Sequence, residues 1–246
     1  MQLLIPETPR VNVLLRAITR FAFRLVRPVL QRRISKPRIE HVMGMPIYVT
    51  PDVLNPVVFR SGQWFAQWIL NSAPDFIKSD FETDIHCLDL GSGSGVCSIA
   101  AASLGYKVCA LDINSHAVHC TSISASINHY SESVTAIQSD LFDEVQGKHF
   151  DLIFFNPPFY RGKPKTEFDK AWRSEDVFER FAKQLKDHLL PGGTALLLLS
   201  TDGEPDHLLQ LLNQQFYKIE ITARKHFGTE IMTIYSVSQQ QYETTN

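Results

Sequence analysis

From residue 85 onward, short apolar runs alternate with stretches whose apolar positions recur every three to four residues, the spacing of one helix face. Residues 85–90, 107–112, 133–138 and 150–156 read as strands, and residues 96–104, 115–128, 175–190 and 205–214 as helices. Asn114 or Ser115 caps the second of these helices, and Pro191-Gly192-Gly193 ends the third. Residues 194–200 are so uniformly apolar that they predict a central strand buried on both faces. Residues 216–223 and 230–237 predict a closing antiparallel pair. Upstream, residues 39–53 carry short apolar runs around Gly44, the pattern of a β-hairpin leading to Asn55-Pro56. Residues 61–70 predict a helix whose aromatic side, with Trp64, Phe65 and Trp68, faces a core. Strand and helix in strict alternation imply an α/β fold: a doubly wound, seven-stranded, mostly parallel sheet with helices on both faces.

Charge divides the chain where the pattern does not. Of 24 basic and 26 acidic residues, nine and one lie in residues 1–38, a balance of +8; the remaining 15 and 25 give the rest a balance of −10. Within the basic arm, Arg16, Arg20, Arg24 and Arg27 fall on one helical stripe beside an apolar stripe of Leu14, Ile18, Phe21, Leu25 and Val29. A docked helix with solvated arginines, a phosphate-binding or membrane-surface helix, and an organelle-targeting peptide all fit that arrangement. The expected organisation is a basic amphipathic arm (1–38), a hairpin and helix at the substrate entry (39–84), a ligand-binding domain (85–238) and a polar tail (239–246). No run of 18 uncharged apolar residues is present and the N-terminus lacks a secretory apolar segment, so a cytoplasmic location is expected. Cys87, Cys97, Cys109 and Cys120 form no Cys-x-x-Cys pair and sit in apolar segments, so they read as small buried hydrophobes and no metal site is expected.

Two motifs carry the chemistry. Asn156-Pro157-Pro158-Phe159 follows the apolar run 150–155. Proline has no N–H and a fixed φ, and it holds the preceding residue extended, so the Asn156 amide oxygen and the Pro157 carbonyl are presented as two acceptors with few competing donors. An –NH2 group can give both hydrogens to that pair while Phe159 offers a flat face to a conjugated partner. Asp89-Leu90-Gly91-Ser92-Gly93-Ser94-Gly95 passes from a strand into a helix with G-x-G-x-G spacing, and Val96 stands where a dinucleotide fold would place its third glycine. Asp112, 23 residues after Asp89, can accept from a ribose diol, and Asp140 can meet an adenine amino group. At the carboxyl ends of consecutive strands these acids outline an adenosine pocket. Beyond the proline motif, Tyr160, Arg161, Lys163 and Lys165 form a basic loop suited to phosphates or an acidic substrate.

The series Asp89 to Gly95, Ala110-Leu111-Asp112-Ile113-Asn114, Ser139-Asp140-Leu141-Phe142 and Asn156 to Phe159 resembles the class I S-adenosylmethionine-dependent methyltransferases, and among them the HemK type, the release-factor glutamine N-methyltransferases and their relatives. The resemblance is close over residues 85–200 and looser over 40–238. It implies a Rossmann-like methyltransferase sheet with S-adenosylmethionine as cofactor. Gly91, Gly93 and Gly95 would border its methionine part, Asp112 its ribose, and Asp140 with Leu141 its adenine, with Asp89 and Asn114 in the same set; Asn156, Pro157, Pro158 and Phe159 would hold the target. Phe159, in place of the tyrosine usual in release-factor enzymes, is shared with related ribosomal-RNA methyltransferases, and the helical recognition domain of the former is replaced by the short basic arm. The acceptor implied first is a protein glutamine, with an RNA base nitrogen as the alternative. Small-molecule transfer and non-catalytic cofactor binding are further alternatives.

Overall fold

The computed structural model describes residues 34–77, 84–166 and 168–240. The arginine stripe of the N-terminal arm lies outside them, as do residues 241–246.

The chain enters through a hairpin of β1 (Arg38–Val42) and β2 (Met45–Val49), in which Val42 pairs with Met45 across a two-residue turn. Both turn residues, Met43 and Gly44, have positive φ, the geometry whose twist matches the flanking strands. Val42, Ile47 and Val49 are buried. The hairpin is tied to helix α3 (Ser115–Ile127) and the residue after it: Tyr48 N donates to Ser124 Oγ at 3.0 Å and Asn128 Nδ2 to the Pro46 carbonyl at 2.6 Å. Helix α1 (Arg60–Ser72) buries Phe65, Ala66 and Ile69 and packs on α2 (Val96–Ser103), whose small Ala100, Ala101 and Ala102 permit close approach.

A seven-stranded sheet organises the rest, in the order β10 (Tyr217–Phe227), β11 (Glu230–Gln239), β9 (Leu189–Ser200), β6 (Phe150–Phe155), β3 (His86–Leu90), β4 (Lys107–Asp112) and β5 (Val134–Gln138). Six strands run in one direction; β11, the last in sequence, runs against them, antiparallel to both its neighbours β9 and β10. Helices α1, α2 and α3 cover one face; α4 (Val177–Gln184) and α5 (Pro205–Gln214) cover the other. The uniform apolar run of β9 follows from this: Leu196 and Leu198 join the first core while Ala195, Leu197 and Leu199 join the second. The remaining short strands, β7 (Tyr160–Arg161) and β8 (Arg173–Ser174), pair with each other beside the sheet.

Two boundaries differ from the expected ones. The helix read over 175–190 stops at Gln184, is followed by a 3-10 turn over Leu185–Asp187, and gives way to β9 at Leu189 instead of residue 194. Leu189 keeps helical spacing in the sequence, yet it pairs with Phe150 across the sheet, where a register shift accommodates the early start. Strand β10 runs past residue 223 to Phe227, because the Gly228-Thr229 turn pairs Phe227 with Glu230 and extends the hairpin to its tip.

Candidate active site

Strand β3 has β4 on one side and β6 on the other. The chain winds from β3 outward to β5 and then returns to the opposite flank, so the carboxyl ends of β3 and β6 border the crevice where an open parallel sheet binds its ligand. Register aligns these ends: Leu90 pairs with Leu111 and with Phe155. The glycine turn, Asp112 and Asn156 therefore emerge side by side and line a cleft of about 280 Å³.

The turn is built for glycine. Gly91, Gly93 and Gly95 all have φ between +56° and +80°, a region costly for residues with a Cβ. Gly91 N and Ser92 N donate to the Leu111 carbonyl, and Gly95, the left-handed N-cap of α2, accepts from Ile99 N. Hydroxyls on α3 hold the turn from behind: Thr121 Oγ1 donates to the Gly93 carbonyl at 3.3 Å, and Ser124 Oγ to the Ser94 carbonyl at 3.2 Å. Thr121 packs so closely that a Cβ on Gly95 would lie 2.9 Å from its Oγ1 and 3.0 Å from its Cα.

The acids differ in how they are held. Asp89 is buried and accepts from Ser98 Oγ at 2.5 Å. Burial dominates and pushes its carboxyl up to about 6; the Ser98 bond opposes this and the charge of Asp112 adds to it. Asp112 accepts from Gly93 N and Asn114 N, both at 2.9 Å, one on each oxygen; burial raises its pKa and these two bonds offset part of the rise. Each oxygen keeps a second lone pair for a diol. Asp140 accepts from Arg180 Nη1 at 3.0 Å, and both residues line the cleft. Beside it Leu141 holds φ of +52°, an uncommon conformation for leucine, with its carbonyl bound by Ser139 Oγ at 2.9 Å.

At the other wall stands the proline motif. Pro157 and Phe159 are buried, and Phe159 meets the edge of Trp172, which in turn meets Phe59 at 5.2 Å and 71°. Among the described residues nothing donates to Asn156 Oδ1, which is shielded from solvent. A buried acceptor in that state costs about 1–3 kcal/mol. Gly203 supports the motif from below: a Cβ there would lie 2.5 Å from the Phe159 carbonyl oxygen.

The other expected site residues are placed differently. Asn114 caps α3 through His116 N and gives its amide hydrogen to the Asp52 carbonyl at 2.9 Å, so its side chain holds the 52–54 wall of the cleft in place. Tyr160 and Arg161 lie on β7, outside the cleft lining; the Arg173 guanidinium covers the Tyr160 ring and Arg161 pairs with Glu179 at 2.7 Å. Lys163 is exposed beside Pro164, which does line the cleft. Sequence reasoning did not place Phe59, Arg180, Thr121, Ser124 or Gly203 in the site. The cluster of hydroxyl residues in α3 and the Asn55-Pro56 turn before Phe59 were the only local signals. The four cysteines are free; Cys87, Cys97 and Cys120 are buried and burial pushes their thiols up. Among the described residues no helix is long and apolar enough to cross a membrane.

Comparison with known proteins agrees with this geometry. Residues 58–228 match the methyltransferase small domain family. A putative protein N5-glutamine methyltransferase from Methanocaldococcus jannaschii is 33% identical over 149 residues, covering 56% of this chain and 73% of that protein. The human methyltransferase HEMK2 is 28% identical over 162 residues, 60% of this chain and 75% of the relative. Ribosomal RNA small subunit methyltransferase C of Haemophilus influenzae is 30% identical over 207 residues; the match takes in 82% of this chain but only 57% of that longer enzyme. The fold is shared with Methanocaldococcus jannaschii Trm5, solved in complex with adenosine, at a TM-score of 0.60 and 17% identity over 85% of this chain and 57% of that one. A glycine turn with its acids, an unmet amide acceptor beside it and these relatives lead to one conclusion: the chain belongs to the methyltransferase small domain family and is an S-adenosylmethionine-dependent class I methyltransferase of the HemK type.

Proposed function

We propose that the chain transfers methyl to a planar amide or amine nitrogen on a macromolecule, and that Asn156 and Pro157 hold that nitrogen. The observation that carries this reading is the buried Asn156 Oδ1 without a donor, at the wall of the cleft that also holds the glycine turn. The cradle fits the cofactor: positive-φ glycines with no Cβ over Gly91 and Gly93, a diol acceptor in Asp112, and a buried carboxyl in Asp89 to face a cation. Bound S-adenosylmethionine supplies an electrophilic methyl group on a sulfonium.

The residues of this chain supply orientation. An amide or aromatic amine delocalises its lone pair and is a poor nucleophile. Two acceptors that engage both N–H bonds fix the nitrogen's plane and turn the lone pair toward the cleft. As the nitrogen takes on positive charge its N–H bonds become stronger donors, so the same two oxygens bind the transition state more tightly than the ground state. One proton then passes to water, and no strong base is needed. A glutamine carboxamide and the exocyclic amine of a base both meet these demands. Deuterated-methyl S-adenosylmethionine, followed by hydrolysis of acceptors to amino acids and nucleosides and mass spectrometry, tests the proposal. The label should sit on nitrogen; label on oxygen or carbon would refute it.

Two further outcomes are expected. Cofactor affinity should depend on pH through Asp89: its carboxyl, raised to about 6, is neutral below that value and cannot face a cation, while a bound cation favours the carboxylate. Affinity should thus be flat above about pH 7 and fall as pH drops through about 6, toward a limit of roughly tenfold per unit. Calorimetry at stepped pH measures this, with Asp89→Asn expected to flatten the curve. Second, Gly203→Ala should push the Phe159 backbone out of place, lowering stability by about 1–3 kcal/mol. The displaced motif should also slow transfer by about 10- to 100-fold. Cofactor affinity, set on the far side of the cleft, should hold; an equal loss of both would show that Gly203 acts through the whole fold.

A further inference from the structure

Beside the cofactor cleft runs a second groove of about 650 Å³, between the first turns of α1 and the tip of the β10–β11 hairpin. Phe59, Phe159 and Trp172 line both, so the groove adjoins the cleft at the proline motif. Its wall interleaves exposed Arg60, Lys225 and His226 with half-buried Trp64 and Phe227, whose rings meet edge to face at 6.0 Å and 64°, with Lys225 Nζ 5.4 Å from the Phe227 centroid. Glu230, the acid on this wall, accepts from Ser200 Oγ at 2.5 Å. Neither Arg60 nor Lys225 forms an ion pair with a described acid. These cations stand out against the balance of −10 over residues 39–246.

Resting on the nitrogen-methylation reading above, we propose that this groove binds the acceptor and that the acceptor is a single-stranded polynucleotide segment. Phosphates lie on Arg60 and Lys225, one base stacks on Trp64, and the next, unpaired, passes Trp172 and Phe159 to reach Asn156. Charge complementarity and stacking are the two terms by which single strands are held, and the groove supplies both where the target must enter. A glutamine side chain carries no charge for Arg60 and Lys225 to meet and no ring for Trp64 to face. The distinction is chemical: a polynucleotide uses every group on this wall, a neutral peptide only its shape.

The test is fluorescence anisotropy on the full chain with S-adenosylhomocysteine present, using labelled 20-nucleotide random single strands of RNA and of DNA, an RNA duplex and a neutral glutamine-containing peptide. Wild type should bind a single strand over the duplex and the peptide. Arg60→Ala combined with Lys225→Ala should weaken that binding by about tenfold or more and reduce the slope of log affinity against log salt by about 1.4, at roughly 0.7 per phosphate contact. Trp64→Ala should weaken binding by about tenfold with the slope unchanged, as loss of stacking requires. Unchanged cofactor affinity and melting temperature would show that the variants are folded. Equal single-strand binding by wild type and the double variant would overturn the groove assignment, as would preference for the peptide. Methyl transfer to the same strand by Asn156→Ala, slowed by about 10²–10³-fold while Arg60, Lys225 and Trp64 still hold the strand in the groove, separates failure of this proposal from failure of the transfer chemistry.

Discussion

Asn156→Ala should lower the rate of methyl transfer by about 10²–10³-fold while cofactor affinity stays within about twofold, the scale on which a single positioned polar group acts in a transition state. Asn156 sits at the carboxyl end of β6, and Pro157 and Pro158 leave its position little freedom. The loss should appear in kcat, because the acceptor oxygen does more for a nitrogen gaining positive charge than for the neutral ground state. Stability should move the other way. Oδ1 is buried without a donor, so truncation to alanine removes an uncompensated acceptor, and the variant should melt no lower than wild type. Asn156→Asp, which keeps the oxygen, should recover part of the rate. Transfer at wild-type rate in the alanine variant would remove Asn156 from the mechanism; a fall in melting temperature would mean that Oδ1 is structural.

Gly95→Ala should abolish measurable cofactor binding. At φ of +80°, alanine pays about 1–2 kcal/mol for a left-handed backbone. Its Cβ also meets Thr121 at 2.9 Å from Oγ1 and 3.0 Å from Cα. A rotamer change moves the hydroxyl but leaves the clash with the Thr121 backbone in place, and overpacking of this kind adds about 1–3 kcal/mol. The turn must move to escape, and with it go the Thr121 bond to the Gly93 carbonyl and the Gly93 bond to Asp112 that shape the cleft. Calorimetry should show at least a hundredfold loss of affinity, with a melting temperature lowered by several degrees. Gly147→Ala serves as the comparison: its φ of +74° is similar and no atom lies within 4 Å of the added Cβ, so it should cost stability without touching affinity. Full cofactor affinity in Gly95→Ala would show that the turn tolerates displacement.

Local chemistry made much of this legible. The two-sided apolar run of β9, the glycines bracketing Ser92 and Ser94, and the prolines after Asn156 each impose their own geometry, so their place in the fold follows from the residues themselves. What could not be read depends on partners far along the chain. Arg180 meets Asp140 across 40 residues, and Thr121 reaches Gly93 across 28; neither pair has a motif. The basic and aromatic groove needs residues near 60 beside residues near 225, a juxtaposition that only the sheet order creates. Arg161 shows the converse: a basic residue next to the motif in sequence turns away and pairs with Glu179. The end of α4 at Gln184 was hidden because leucines at 185, 189 and 190 satisfy helical spacing and strand burial equally well.

The most direct test is to incubate the full chain and its Asn156→Ala variant with methyl-labelled S-adenosylmethionine and cell extract, then to count label in separated protein, nucleic-acid and small-molecule fractions. Label on nitrogen in a macromolecular fraction, present with wild type and lost with the variant, is the predicted result, and its appearance in nucleic acid would agree with the groove. Label confined to small molecules, or equal label from both proteins, would contradict transfer to a macromolecular nitrogen held by Asn156.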